Sequence, residues 1–175
     1  HYGSFIGRGY ETLDEFRALV AEVKARGGQF VKIMISGIMD FDRFGVLSEP
    51  GMDPGEIRQV ISAAKARGMS VMAHANGAET VRAAAEAGVD TVEHGAYLNR
   101  DALQACADNG VIWVPTLSAI GNLRGKGRFS EPDVERILAS AMENVALYAS
   151  MGGLIAPGTD AGAWAVPHGS LTEYA

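Results

Sequence analysis

Residues 57–74, IRQVISAAKARGMSVMAH, contain the pattern from which most of this chain is built. A helix is predicted from about residue 54 to 67, Gly68 ends it, and an apolar strand at 70–74 finishes on a histidine. The helix end AKARG at 64–68 resembles VKARG at 23–27, and EAG at 86–88 likewise ends a predicted helix on glycine. Such repetition of helix, glycine and strand is typical of βα units in a parallel sheet.

The same reading along the chain predicts five helices and five strands. Thr12 begins the first helix, with Glu15 three residues later in a capping-box arrangement. The other helices are expected at about 54–67, 78–87, 100–109 and 131–151, and the strands at 30–36, 70–74, 91–94, 111–117 and 154–157. A loop rich in glycine and basic residues is expected at 121–128, and the opening of another helix at 171–175.

The fold class is α/β. The strands are apolar almost throughout, as expected when both faces of a sheet are covered. An open doubly wound sheet and a closed barrel both fit, but no Gly-x-Gly-x-x-Gly follows a strand. Polar groups on the strands or at their carboxyl ends favour a TIM-type (β/α)8 barrel, with residues 1–175 as one partial barrel domain of about five βα units. Its open edges should be covered by remaining barrel chain or by a partner subunit, such as a second copy.

Composition excludes several classes of protein. The formal net charge of −6 argues against nucleic acid as a partner, and the single cysteine, Cys106, excludes an internal disulfide. No apolar stretch is long enough to cross a membrane, and no signal peptide is visible. These features predict a soluble cytoplasmic protein without a membrane partner. Both ends look cut, so we expect a fragment of a longer protein.

Four polar residues stand on or at the ends of predicted strands: Lys32, His74, His94 and Asp160. Taken singly, each histidine reads as a structural residue and Asp160 as a turn former in GTDAG. Lys32 lies inside an apolar strand, where an unpaired ammonium is costly to bury. Because parallel strands end at the same edge, the four side chains are expected to converge on one rim.

Two imidazoles and a carboxylate are suitable ligands for a divalent metal such as zinc, and we expect one or two ions. Such an ion makes hydroxide available near neutral pH, and Asp160 could then transfer a proton from water to the leaving nitrogen. Burial of Lys32 would favour its neutral amine, which can add carbon dioxide to form a carbamate that bridges two metals.

The order of Lys32, MAHA at 72–75, VEHG at 92–95 and GTDAG at 158–162 resembles the amidohydrolase superfamily. The closest likeness is to its prolidase-like and imidazolonepropionase-like metal-dependent hydrolases. The resemblance implies an eight-stranded barrel, with Lys32 as the carboxylated bridging ligand and Asp160 as first-metal ligand and proton shuttle. His74 and His94 would bind the second metal. The family's His-x-His pair and small β-sandwich are absent from this chain, so the pair is expected upstream of His1 and little activity is expected from the chain alone.

The resemblance also implies hydrolysis of the C–N bond of a small molecule, such as a dipeptide or an N-acyl amino acid. His1 and Tyr97 look similar to residues that hold the substrate carboxylate in the prolidase-like group. Tyr97 could instead simply pack under a loop, and His168 lies near Asp160 as either a pocket residue or a surface residue. Ala163 and Trp164 favour an apolar or proline-like substrate side chain.

Two rival functions remain open from the sequence. Lys32 could form a Schiff base in an aldolase or lyase, although His74, His94 and Asp160 would then have no joint task. The domain could also be a non-catalytic barrel remnant that serves in binding or assembly.

Overall fold

The computed structural model describes residues 7–162 and 165–174. Five strands form one parallel sheet in the order β1-β2-β3-β4-β5. The strands are β1 Phe30–Met34, β2 Ser70–Ala75, β3 Thr91–His94, β4 Ile112–Val114 and β5 Leu154–Ile155. The helices are α1 Leu13–Ala25, α2 Pro54–Lys65, α3 Ala78–Glu86, α4 Arg100–Asp108, α5 Leu117–Gly121 and α6 Glu131–Ser150, and a 3-10 turn follows at Thr172–Tyr174.

The first helix begins as the sequence predicts. Thr12 accepts a hydrogen bond from the Glu15 amide at 3.2 Å, and the Glu15 carboxylate accepts one from the Thr12 amide at 3.3 Å. This reciprocal pair satisfies two of the amides that a helix start leaves without partners. The capping box is therefore confirmed.

Strand order decides between the two candidate architectures. The strands lie in the sheet in the order of the sequence, and the helices beside them pack against one another, α1 on α2, α2 on α3 and α3 on α4. A doubly wound sheet reverses its strand order and puts helices on both faces. A continuous arc with a single helical layer is instead the arrangement of a (β/α) barrel.

Burial differs between the two faces of the sheet. Val31, Ile33 and Val71 point to the helical layer and are buried, whereas Phe30 on the opposite face of β1 is 52% exposed. The expectation that both faces of the sheet are covered therefore fails for this face of β1 within the described residues. Lys32 shares the open face and is exposed. The expectation that Lys32 is buried is therefore wrong for the described residues.

The last two strands are shorter than predicted. β4 ends at Val114 because Pro115 has no amide hydrogen for the ladder and Thr116 adopts a left-handed φ of 51°. Leu117 was expected in this strand but begins α5, a helix absent from the sequence prediction. β5 has only two residues, and the opening of a helix expected at the end of the chain is a single 3-10 turn.

A second apolar cluster lies over the edge of the sheet where the strands end, which we call the carboxyl rim. It joins the long loop after β1 to α5 and α6, with Met39, Ile120 and Val134 buried in it. Ser130 and Phe44 donate backbone hydrogen bonds to Asp42 and Asp133, which ties this loop to the start of α6. The loop therefore forms one wall beside the carboxyl rim. None of the described helices combines the length and hydropathy that crossing a membrane requires.

Candidate metal centre

His74 lies near the end of β2 in regular strand conformation. It pairs with Met34 on β1 and Glu93 on β3, and it is only 7% exposed. Its Nε2 atom lies 3.3 Å from the carbonyl oxygen of Gly37. A proton on Nε2 would be donated to that carbonyl, which leaves Nδ1 with a free lone pair.

Asn76 connects the elements around His74, although sequence reasoning gave it no role. It is fully buried, and its Nδ2 donates to the Gly37 carbonyl at 3.1 Å while its Oδ1 accepts from the Ala96 amide at 2.9 Å. Its own amide donates to Ser36 Oγ at 2.7 Å. One side chain therefore holds together the ends of β1, β2 and β3.

The imidazole of His94 also lies beside that of His74, but its backbone leaves the regular strand conformation. It pairs with Ala75, whose position on β2 alternates with that of His74, so a regular strand would direct His94 away from the other histidine. Its φ of 73° breaks this alternation. The imidazole then contacts the ring of His74, and its Nδ1 atom lies 2.7 Å from Thr116 Oγ1.

The two rings, which we call the imidazole pair, have centroids 4.6 Å apart and planes inclined at 62°. Burial lowers the pKa of His94 to about 3, with further lowering by the charges of His74 and Lys32. Burial also lowers the pKa of His74, and the charge of Lys32 adds to this effect. The hydrogen bond to Gly37 and the charge of Asp160 raise the pKa but do not outweigh the burial. Both imidazoles are therefore neutral at pH 7, which is the form that binds metals.

Lys32, on the open face of β1, and Asp160, in the turn after β5, are both exposed. Their charges act on His74 with opposite signs, so both groups lie within electrostatic range of the imidazole pair. Asp160 has a φ of 52° in a turn where Thr159 Oγ1 accepts from the Ala161 amide. The two histidine rings are thus in contact, whereas Lys32 and Asp160 act on His74 through their charges.

The proposed substrate residues differ in their surroundings. Tyr97 is partly buried with a φ of 60°, and its ring packs against Phe44 with centroids 5.4 Å apart. Among the described residues its buried hydroxyl makes no well-formed hydrogen bond, although the Gly45 backbone is close enough to oppose the rise that burial causes in its pKa. His168 is exposed, and its ring lies beside Gly162 in the Asp160 turn. His1, Ala163 and Trp164 lie outside the described residues.

The donor set fits a divalent cation in part. The imidazole pair presents two neutral ligands, and each has its other nitrogen already next to an oxygen, as is usual for metal-bound histidines. Within residues 7–162 and 165–174, no three His, Cys, Asp or Glu side chains lie close enough to share one ion. A carbamate formed on Lys32 would add an anionic oxygen ligand.

Sequence reasoning missed Asn76 and Thr116, both of which lie against this pair. Asn76 stands two residues after His74, where a buried amide looks like an ordinary loop residue. Thr116 lies before a helix too short to be predicted. Neither position has a local pattern that reveals its partner, because Thr116 and His94 are 22 residues apart.

Comparisons with known proteins identify the family of the chain. The sequence model of the amidohydrolase family matches residues 5–173. The chain belongs to the amidohydrolase family. The resemblance predicted from the four strand-end motifs is confirmed, and so is the partial barrel of about five βα units.

Individual amidohydrolase relatives are distant but cover most of the chain. An uncharacterized protein of Mycobacterium tuberculosis is 29% identical over 170 residues, which are 93% of this chain and 45% of that protein. The ochratoxinase of Aspergillus niger is 27% identical over 111 residues, 63% of this chain and 23% of the enzyme. A crystal structure of a Xaa-Pro dipeptidase with methionine bound in its active site is 30% identical, with a TM-score of 0.73 over 90% of this chain and 40% of that one. The chain thus spans less than half the length of these relatives.

Proposed function

We propose that the protein containing this chain is a metal-dependent hydrolase that cleaves the amide or peptide C–N bond of a small substrate, such as a dipeptide or an N-acyl amino acid. The observation that carries the proposal is the imidazole pair, two neutral rings 4.6 Å apart at the carboxyl rim of a parallel sheet. Family membership supports the class of reaction, and the likeness to a Xaa-Pro dipeptidase supports a peptide substrate.

In this proposal His74 binds a divalent ion through Nδ1 and His94 binds it through Nε2, because the opposite nitrogens face Gly37 and Thr116. Lys32 would supply a third ligand after its amine nitrogen adds to carbon dioxide and releases a proton. The exposure of Lys32 on the open face leaves the amine accessible for that addition. A divalent ion, with zinc the candidate we favour, supplies Lewis acidity that polarises a carbonyl and makes water more acidic.

Asp160 is the proposed metal ligand and proton shuttle. Its carboxylate is exposed in a turn at the carboxyl rim and acts electrostatically on His74. An accessible carboxylate there can accept a proton from the attacking water and donate it to the leaving nitrogen. The leaving amine would otherwise depart as an unstable anion, so this transfer is the contribution we assign to Asp160.

Tyr97 is the proposed anchor for the substrate carboxylate. Its hydroxyl lacks a well-formed hydrogen bond among the described residues, and a buried donor without a partner is costly unless a ligand satisfies it. Phe44 packs against the ring and limits its movement. His1 and His168 remain proposed contributors to the same pocket, with an apolar or proline-like side chain preferred.

The proposal is tested by metal analysis of the intact protein followed by a substrate screen. We expect at least one equivalent of divalent metal, and a loss of most of it in His74→Asn and His94→Asn but not in His168→Asn. Xaa-Pro and Xaa-Leu dipeptides should be cleaved faster than Xaa-Arg, and chelation should stop cleavage. Wild-type protein without stoichiometric metal, or cleavage that persists after chelation, would refute the proposal. Borohydride trapping of substrate on Lys32 would favour a Schiff-base enzyme instead.

A further inference from the structure

Thr116 stands immediately before α5 but does not cap it. A threonine at this position normally accepts a hydrogen bond from an amide in the first turn of the helix. Here the side chain makes no such bond, and Oγ1 instead lies 2.7 Å from His94 Nδ1. The hydroxyl therefore faces the imidazole and not the helix.

Glu173 takes the place of Thr116 at the start of α5. Its two carboxylate oxygens accept hydrogen bonds from the Leu117 amide at 3.0 Å and from the Ser118 amide at 2.7 Å. The Ser118 amide, second in the helix, is one that an N-cap threonine normally bonds, so Glu173 supplies its acceptor in place of Thr116. The 3-10 turn that carries Glu173 lies more than fifty residues further along the chain and contacts α5.

Both residues of the His94–Thr116 contact have strained backbones. The φ angles are 73° for His94 and 51° for Thr116, in a region that a β-branched residue rarely adopts. Residues persist in such conformations only where their surroundings hold them, and these conformations concentrate at functional sites. Trp113 is one of the residues that hold the His94 backbone, since its Nε1 donates a hydrogen bond to the His94 carbonyl at 2.9 Å.

We propose that Thr116 is a positioning residue that accepts the Nδ1 proton of His94 and so directs Nε2 toward the metal, and that Glu173 keeps the Thr116 hydroxyl available by capping α5 in its stead. This inference rests on the proposed function, in which His94 binds the ion. It gives the 3-10 turn that carries Glu173, which supplies none of the proposed ligands, a role in the orientation of His94.

The first test compares Thr116→Val with Thr116→Ser in the intact protein. Valine keeps the branched shape and loses the hydroxyl, whereas serine keeps the hydroxyl. Chelator competition with Zn²⁺ should show binding about 10–100-fold weaker in the valine variant, as is usual when the hydrogen-bond partner of a metal ligand is lost. The serine variant should bind within about twofold of wild type. Equal affinities for valine, serine and wild type would overturn the proposal.

The second test is a double-mutant cycle with Glu173→Ala. Without the carboxylate, the α5 amides should draw the Thr116 hydroxyl away from His94 and weaken Zn²⁺ binding. The same substitution in the Thr116→Val background should cause no further loss, because the contact is already gone. Fully additive losses would show that Glu173 acts by some other route and would overturn its part of the proposal.

Glu131→Ala is the matched control for that cycle. Glu131 also accepts from a backbone amide with both oxygens, that of Gly125 at 2.9 and 3.0 Å, in a loop that does not hold His94. The Glu131→Ala variant should bind Zn²⁺ with the affinity of the wild type. If Glu131→Ala weakens binding as much as Glu173→Ala, general loosening of the loops explains both effects and the proposal is wrong.

A metal-free measurement separates this inference from the proposed function. Nitrogen-15 NMR of His94 should show the Nδ1–H tautomer in wild type and in Thr116→Ser, and a mixture of tautomers in Thr116→Val. A mixture already present in wild type overturns the inference whatever the metal content. Absence of stoichiometric metal in a wild-type protein with the Nδ1–H tautomer refutes the proposed function and leaves the orientation of His94 by Thr116 supported.

Discussion

The ends of β2 and β3 bring their histidines together by opposite means. His74 continues a regular strand, is buried, and faces a backbone carbonyl. His94 leaves its strand through a left-handed conformation and depends on the side chain of Thr116. Strand geometry therefore places the first ring, whereas loop contacts from distant parts of the chain place the second. The second arrangement should be the easier one to perturb without unfolding the sheet.

The largest effect is expected from Asn76→Ala, which disturbs both strand ends together. The substitution leaves the buried Ala96 amide without its acceptor and removes a donor from the Gly37 carbonyl. Loss of these bonds should lower the free energy of unfolding by about 2–3 kcal/mol, measured by urea denaturation. Asn109→Ala, which loses one exposed hydrogen bond at the end of α4, should cost less than about 0.5 kcal/mol. Similar losses in the two variants would contradict the role given to Asn76.

Gly95→Ala should affect the β3 end alone. Gly95 has a φ of 66°, and a methyl group there would lie 2.5 Å from Trp113 Nε1, whose hydrogen bond holds the His94 carbonyl. Strain and crowding together should cost about 1–3 kcal/mol in thermal or urea unfolding.

Gly88→Ala provides the comparison for that variant. Gly88 also has a positive φ, of 86°, but nothing lies within 4 Å of the added methyl group. It should show only the backbone penalty, about 1 kcal/mol. The proposal that Trp113 supports His94 fails if Gly88→Ala is the more damaging of the two.

A pH dependence should distinguish the two imidazoles. The pKa of His94 falls from 6.5 to about 3 on folding, so the unfolded state binds the proton more readily. Stability is thus fully present above pH 6.5 and is lost as pH falls toward 3. For metal-free protein the loss at pH 5.5 should be about 1.4 kcal/mol from His94 alone.

His94→Asn tests that assignment. The variant should have a flatter stability profile between pH 7 and 5.5 than wild type, measured by urea unfolding at each pH. The pKa of His74 is lowered on folding too, so part of the dependence should remain in the variant. An unchanged slope in His94→Asn would contradict the burial that we assign to its imidazole.

The smallest effect is expected at His168, which belongs to neither strand end. Its ring is exposed and lies beside Gly162. His168→Ala should change unfolding free energy by less than about 0.5 kcal/mol, as for other exposed positions. A rise in KM for dipeptides with unchanged kcat would support its predicted contact with substrate, whereas loss of bound metal would contradict the present assignment of ligands.

Local sequence patterns predicted most of the architecture. The capping box at Thr12 begins the first helix where expected. Errors occurred where the chain departs from regular geometry, as at Thr116 and α5. The exposed face around Lys32 was also missed, because an apolar strand sequence does not reveal whether neighbouring chain covers it.

By itself the sequence determined the repeated βα pattern, the family and the identity of four candidate site residues, since these depend on residue type and short spacing. Tertiary structure decided how His94 turns toward His74 and which groups hold each ring. Regular alternation along β3 would have directed His94 to the helical face. Where the left-handed backbone of His94 reverses this direction, Thr116 contacts the ring and Trp113 donates to the carbonyl. Contacts so far apart in the chain leave no local signal.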